Sequence, residues 1–517
     1  MPSALLSPGV YIEEVASGVR TITGVATSIT AFVGRTSQGI VSEPALITSF
    51  GDFERLFGGV QFDYPLSYAV QDFYLNGGSQ AIIVRLESGA VAASAQLPTG
   101  GANNEALRLL ARSPGTWANS LTVTSDNATG TPSDTSLFNL TIVQAGGATE
   151  KFLNVSSSAS SARFVARVLD SGSLLATLPK DASGNWVAPA ARPTAGSAAF
   201  SGGVDSANLA DSDYVGSAAL KTGLHALEKA SLFNLLCIPP DERGGDTSSP
   251  VYQAAMAYCA TRRAVLLVDP PVAWGLIKET AAAAASDATT GVASLGLTGE
   301  AARNAALFFP RVIKSDAQLN GQLDVFAPCG VVAGIIARTD STRGVWKAPA
   351  GLDAALNGVQ GLQVNLTDGD NGVLNPLGIN CLRAFPVTGR VVWGARTMRG
   401  ADLMADEYKY LPVRRLALFI EESLYQGMQW AVFEPNDEPL WSQLRLNIGA
   451  FMQGLFRQGA FQGSTPAAAY FVKCDSETTT QNDINLGVVN VLVGFAPLKP
   501  AEFVVLRLQQ MAGQIAA

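Results

Sequence analysis

The chain carries a single imidazole. His225 is the only histidine among 517 residues, so acid–base chemistry of the usual kind would rest on it alone. Acyl transfer by a serine hydrolase needs that base beside a nucleophilic serine, with a carboxylate to orient it. No serine lies in a Gly-Thr-Ser context, and Gly463-Ser464-Thr465-Pro466 has the wrong order. His225, in the run Gly223 to Ala230, is read as a helix-face residue, and no catalytic residue is assigned. Metal chemistry fares no better. One histidine and five scattered cysteines, Cys237, Cys259, Cys329, Cys381 and Cys474, do not make the common zinc arrangements. Asp368-Gly369-Asp370-Asn371-Gly372 opens like a calcium loop, but its last glycine falls early and the ligand ladder fails, which leaves a tight turn. A phosphate-cradling Gly-x-x-x-x-Gly-Lys-Ser/Thr is absent, and Gly34 to Gly39 reads as a loop between strands. Neither a cofactor nor a metal is expected, and an enzyme is not.

Composition points toward contacts instead. Hydrophobic residues make up 47% of the chain and charged ones only 15%, which suggests that much surface is covered by other chains. A net charge of −8 argues against direct nucleic-acid binding, which wants a basic face. The cysteines sit in apolar surroundings such as Asn234-Leu235-Leu236-Cys237-Ile238, as reduced buried thiols do. The first ten residues lack a basic segment and a continuous apolar run, so synthesis in the cytoplasm without a signal peptide is expected. Apolar runs such as Cys329 to Ala337 fall short of the roughly 18 residues that a membrane helix needs, so no direct membrane contact is expected.

The elements that position the contacts begin near the terminus. Val10-Tyr11-Ile12-Glu13-Glu14-Val15 alternates as a short strand, between Pro8-Gly9 and Ala16-Ser17-Gly18. Thr21 to Arg35 alternates again. Ser49 is placed to cap a helix, Pro65 to Asn76 reads as a helix stopped by Gly77-Gly78, and Ala81 to Leu86 as a buried strand. Residues 91–199 are rich in Ser, Thr, Ala and Gly, with short strand patterns at Leu121 to Ser125, Phe138 to Val143 and Lys151 to Ser156. They form an inserted β-rich domain. From 200 the pattern returns to apolar strands alternating with helices, which implies a sheet covered on both faces.

Near the C-terminus, Glu434-Pro435-Asn436-Asp437-Glu438-Pro439 is a rigid acidic turn, since its prolines forbid a helix across it. Leu440, Leu444, Ile448, Phe451 and Leu455 then recur at three- and four-residue spacing, the stripe of an amphipathic helix. Arg445 and Arg457 lie on its polar side. The preceding helix runs from Val413 to Trp430 and carries Glu421 and Glu422. A last strand pattern, Glu502-Phe503-Val504-Val505-Leu506-Arg507-Leu508, follows the proline-flanked stretch Pro497 to Pro500.

This C-terminal stretch resembles the sheath proteins of contractile phage tails and contractile injection systems. So do Ser7 to Gly39 and, almost residue for residue, Thr342 to Gly351 around Trp346. The likeness runs nearly end to end and is least specific over 91–199. It implies a multidomain α/β chain. Its parts are an N-terminal linking arm (1–20), a core domain in two parts (21–90 and 385–500), the β-rich outer insert (91–199), a subtilisin-like α/β domain (200–384) and a C-terminal strand or arm (501–517). It also implies a homo-oligomer of sixfold rings stacked helically around an inner tube protein, with baseplate and terminal cap proteins at the ends. Such a sheath contracts from a metastable extended state. A tube that does not contract, and a degenerate subtilisin-like hydrolase, remain as alternatives. Val10 to Val15 and Glu502 to Leu508 are then linking strands, although the latter could equally pair within its own chain and accept a neighbour's arm. Ala16, Ser17 and Gly18 are tethers. The helix 439–458 would meet the tube through Arg445 and Arg457, with Val413 to Trp430 as its rival.

Overall fold

The computed structural model describes residues 20–99, 105–131, 133–189, 191–275 and 280–507. The chain divides into two units, one of residues 27–342 and 349–411, the other of 1–26, 343–348 and 412–517. In the larger unit, β1 (Thr30–Gly34), β2 (Ala45–Ile47) and β3 (Ala81–Arg85) alternate with α1 (Phe50–Phe57) and α2 (Pro65–Leu75). The Ser49 hydroxyl accepts from the Asp52 amide at 3.1 Å, which caps α1 as its position predicts.

The insert contributes β4 (Ser94–Pro98), β5 (Ala106–Ala111), β6 (Leu121–Asp126), β7 (Leu137–Gln144), β8 (Thr149–Ser156), α3 (Val165–Gly172), β9 (Ala176–Thr177) and β10 (Gly196–Ala199). They make two antiparallel sheets, ordered β10-β6-β7-β8 and β4-β5-β9. Alternate residues of β6, Leu121, Val123 and Ser125, point inward, as the period of two requires. Leu109, Val123, Phe138, Leu140 and Leu169 share a core that belongs to the insert alone.

Next come α4 (Asp211–Val215), β11 (Leu235–Cys237), α5 (Ser249–Thr261), β12 (Val265–Val268), α6 (Ala281–Gly291) and β13 (Ala305–Phe309). A side sheet of β14 (Val312–Asp316), β15 (Gln322–Phe326) and β16 (Gly361–Leu362) is interrupted by α7 (Cys329–Arg343), and α8 (Asp368–Leu374), β17 (Ile379–Phe385) and β18 (Gly389–Val392) close the unit. The main sheet is ordered β18-β17-β13-β12-β11-β1-β3-β2. Its six inner strands are parallel, and an antiparallel strand guards each edge. Ala31 and Val33 face the core shared with α5 and α6, while Phe32 meets Phe73 of α2 with ring centroids 5.7 Å apart. Glycines let α7 close on α2: a Cβ at Gly330 would stand 2.1 Å from the Ala69 carbonyl oxygen, and one at Gly334 2.5 Å from that of Phe73.

This arrangement departs from the expected partition. Residues 21–90 were expected to share a core with 385–500, yet β1, β2 and β3 complete the sheet of the middle segment. Fully buried strands such as Thr30–Gly34 need neighbours on both sides, and the parallel pairing of β1 with β11 provides one. Three local expectations also change. The Thr21 to Arg35 alternation yields a strand only from Thr30. The helix expected around His225 is a 3-10 turn, Gly223–Lys229, entered through Gly223 at φ +61°. The Asp368 turn is the start of α8, capped reciprocally by Thr367 and Asp370.

The smaller unit packs α9 (Leu411–Gly427) against α10 (Glu438–Arg457), followed by α11 (Pro466–Ala469), β19 (Tyr470–Lys473), α12 (Gln481–Asn485) and β20 (Leu492–Phe495). Leu416, Ile420, Leu440, Leu444, Ile448 and Met452 fill its core together with Ile22 and Val345, and Trp346 lies half-buried against it. Phe451, expected in the α10 stripe, is only half-buried, and Trp441 and Met452 take the inner positions.

Candidate intersubunit interface

The acidic turn ahead of α10 acts as a bracket. Asp437 caps the helix by accepting from the Leu440 amide at 3.3 Å. Asn436 accepts from the Trp441 indole at 2.9 Å and donates to the Val488 carbonyl at 3.0 Å. Arg445 reaches back to Glu438 and also donates to the Cys474 carbonyl. The Glu438 carboxylate raises the pKa of that guanidinium further. Arg445 is thus committed to its own chain first. Arg457, at the far end of α10, is exposed, and α9 is buried along most of its length.

The β19–β20 ribbon lies beyond. Tyr470 pairs with Phe495 and Lys473 with Leu492, and no residue of either strand is fully buried. Gly494 makes room for the Phe471 ring, since a Cβ there would come within 2.1 Å of it. Two strands alone are marginal in water, and among the described residues no third strand joins this sheet. Phe471 and Leu492 are each about half exposed on it.

The chain then runs on through Glu502–Arg507, where a strand was expected. Among the described residues these belong to no strand. Phe503, Val504, Val505 and Leu506 are 76%, 89%, 78% and 79% exposed, an apolar run left uncovered by its own chain. The intramolecular pairing considered for this segment is not formed over these residues. Leu508 lies outside the described residues, and so do the expected arm Val10, Tyr11, Ile12, Glu13, Glu14 and Val15 and the tether Ala16, Ser17 and Gly18.

The groups that could carry chemistry are engaged structurally. His225 Nδ1 is 3.0 Å from Glu228 Oε1, and its ring meets Tyr258 edge-on. All five cysteines are buried thiols, and burial pushes Cys381 up to about 12. Asp368 pairs with Arg383 at 2.9 Å. Among the described residues no helix is long and apolar enough to cross a membrane.

Sequence reasoning missed a strap at the start of the described chain. Ile22 is buried against Gly427, where a Cβ would come within 2.7 Å of Ile22 Cγ2. The Val25 amide donates to Ser423 Oγ at 3.2 Å. The Arg20 amide donates to Asn447 Oδ1 at 3.2 Å, and its guanidinium lies 4.6 Å from the centre of the Trp430 ring. A small residue at 427 opposite an apolar one at 22 leaves no periodic trace in the sequence.

A multi-sheet α/β body joined to a small helical unit with an open ribbon is the fold of the contractile-tail sheaths. The chain aligns with the contracted-state sheath complex of PVC, an extracellular contractile injection system, at TM-score 0.57 and 22% identity, covering 98% of each chain. Against the helical sheath of the anti-feeding prophage in its contracted state the TM-score is 0.55 at 22% identity, over 98% of this chain and all of that one. The sheath tail protein of Listeria innocua gives 0.60 at 13% identity, over 92% of this chain and 96% of that one. The phage tail sheath central-domain family matches residues 233–398, and the phage tail sheath C-terminal-domain family matches 405–511. The tail sheath protein of Vibrio phage KVP40 is 26% identical over 178 residues, 34% of this chain and a quarter of that protein's length. The chain belongs to the contractile tail sheath proteins, a family of structural sheath subunits.

Proposed function

We propose that this protein is a sheath subunit that polymerises as sixfold rings, stacked helically around an inner tube protein between a baseplate and a terminal cap. It contracts from a metastable extended lattice to drive the tube through a target envelope. The doubly covered parallel sheet is read as a subtilisin-like scaffold without a triad, so the work is done at contacts. Val10 to Val15 and Glu502 to Leu508 add strands to neighbouring copies, and the β19–β20 ribbon is their acceptor. Ala16, Ser17 and Gly18, with Pro497 to Pro500, are the tethers that let copies swing while strands stay paired. Such contacts are heterologous and propagate instead of closing. α10 faces the tube, with Arg457 the more available of its two arginines and Arg445 sharing its charge with Glu438.

The observation that carries this reading is the pairing of two incomplete pieces: a two-stranded ribbon with room at its edges, and an extended apolar run with nothing of its own chain over it. Removal of residues 1–18 is the test. The variant should remain a folded monomer and form no tubes in electron micrographs. Tubes of ordinary length would refute the strand linkage.

A further inference from the structure

The β-rich insert is tied to the body by its neck and by a buried arginine. In the neck Val91 pairs with Val204, and the Ala207 amide donates to the Ser88 carbonyl at 3.0 Å. Arg35 fixes the foot of that neck, donating to the Ser206 carbonyl at 3.1 Å while it pairs with Asp241 at 2.7 Å. Arg85, the last residue of β3, is 1% exposed. Its Nε donates to the Thr36 carbonyl at 3.1 Å and its Nη1 to that of Gly39 at 2.6 Å, both in the loop after β1. Its Nη2 donates to the Pro114 carbonyl at 2.8 Å, in the insert. Beside it the Gly39 amide donates to Ser113 Oγ at 3.0 Å. Carbonyls from two parts of the chain are thus gathered on one planar fork, which a lysine could not copy. The seam next to this arginine is not closed. A cavity of about 220 Å³ lies there, lined by Ile40, Leu56 and Phe57 of the body and by Trp117, Leu174 and Leu175 of the insert.

We infer that Arg85 is a latch that sets the angle of the insert on the body, and that without it the insert tips on its neck across the cavity. The insert keeps a core of its own, so its fold does not depend on its angle. A neck of two paired segments fixes where a domain is attached but not how it is tilted. Domains joined without a large apolar interface move relative to each other, and the open cavity leaves this one room to do so. The bond to Pro114 removes that freedom, because it holds the insert off the axis of the neck. Burial lowers the pKa of the Arg85 guanidinium to about 10, so the group is still charged at neutral pH and all its donors are in place. The latch belongs to the single chain and operates whether or not copies exchange strands.

The test uses the full chain below the concentration at which polymers form, with spin labels on L153C in β8 and L220C in the body. Both positions are exposed, and the five native cysteines are buried. With Arg85 unchanged, the label-to-label distance should be single and narrow. R85K keeps the charge and loses the fork. It should raise the tipped population, read as a second or broadened distance, by roughly ten- to a hundredfold, the worth of one hydrogen bond from a charged donor. S113A leaves Arg85 in place and removes the neighbouring bond. It should raise that population roughly two- to tenfold, and it decides the matter if R85K does not fold. An unchanged single distance in a folded R85K chain, or in S113A, would overturn the latch. A lowered melting temperature with an unchanged distance would overturn it as well, since Arg85 would then serve the core alone.

Discussion

Cutting the chain after Ala501 separates what the C-terminal run does for the monomer from what it does for the polymer. Phe503 to Leu506 are between 76% and 89% exposed, so their removal takes almost no buried area from the fold. The melting temperature of the monomer should stay within about 1 °C, since surface changes of this kind stay within roughly 0.5 kcal/mol. The polymer is another matter. If alternate residues of the run face a neighbour, two side chains are buried at ~1.5–3 kcal/mol each. About five backbone hydrogen bonds add roughly 0.5–1.5 kcal/mol apiece. The sum, about 5.5–13.5 kcal/mol, is comparable with the ~4–15 kcal/mol lost on association. Even its lower end raises the concentration needed for assembly about ten-thousand-fold. Sedimentation and negative-stain microscopy across a concentration series read this directly. Sheaths assembling at the unmodified protein's concentration would refute the argument. So would a melting temperature lowered by several degrees, because the run would then be packing on its own chain.

Other outcomes follow from the buried charges and from α10. Lys314 and Asp72 are 2.5 Å apart and each under 7% exposed. K314M should cost about 3–5 kcal/mol in urea unfolding by stranding the carboxylate, while K314M/D72L together should be nearly neutral. Burial raises Asp269 from 3.8 to about 6, although it accepts from the Cys329 amide at 2.8 Å. A folded pKa above the unfolded one means that the folded state binds the proton more tightly. The penalty is then full above pH 6 and fades as the pH falls toward 4. Lowering the pH through that window should gain on the order of 3 kcal/mol from this group. D269N should remove that slope in denaturation curves taken across it, and an unchanged slope would reject the assignment. R457E should weaken co-sedimentation with tubes and leave melting alone, whereas R445E should also lower the melting temperature by breaking the link to Glu438 and Cys474.

How much of this was legible depends on how far apart the interacting residues lie. The α10 stripe, the Ser49 cap and the insert strands are local patterns, and they form where the sequence puts them, except that Phe451 yields the inner face of α10 to Trp441 and Met452. The calcium-like loop was misread although its signal was present, since Thr367-Asp368-Gly369-Asp370 has the spacing of a capping box. The sheet partners of β1 and β3 were not legible. A continuously apolar strand declares that both its faces are covered but not by what, and β11 lies two hundred residues away. Asp269 capping α7 across sixty residues and Asn447 meeting Arg20 across more than four hundred leave no periodic trace either.

The contacts proposed for the sheath are the least legible of all, for a reason that bears on the mechanism. A surface that must bind a neighbour in two lattices cannot be optimised for either, so it is kept short, partly apolar and incomplete by itself. The β19–β20 ribbon, with strands of four residues and no fully buried side chain, has that character, and so does the uncovered run at Phe503. A ribbon stable on its own would gain little from a third strand, and assembly would lose its driving force. On the proposed reading, an unfinished sheet in each copy would make completion by the next copy the stabilising step. In the proposed assembly the linkage would survive a change of lattice, because the paired strands would move as one body about their tethers.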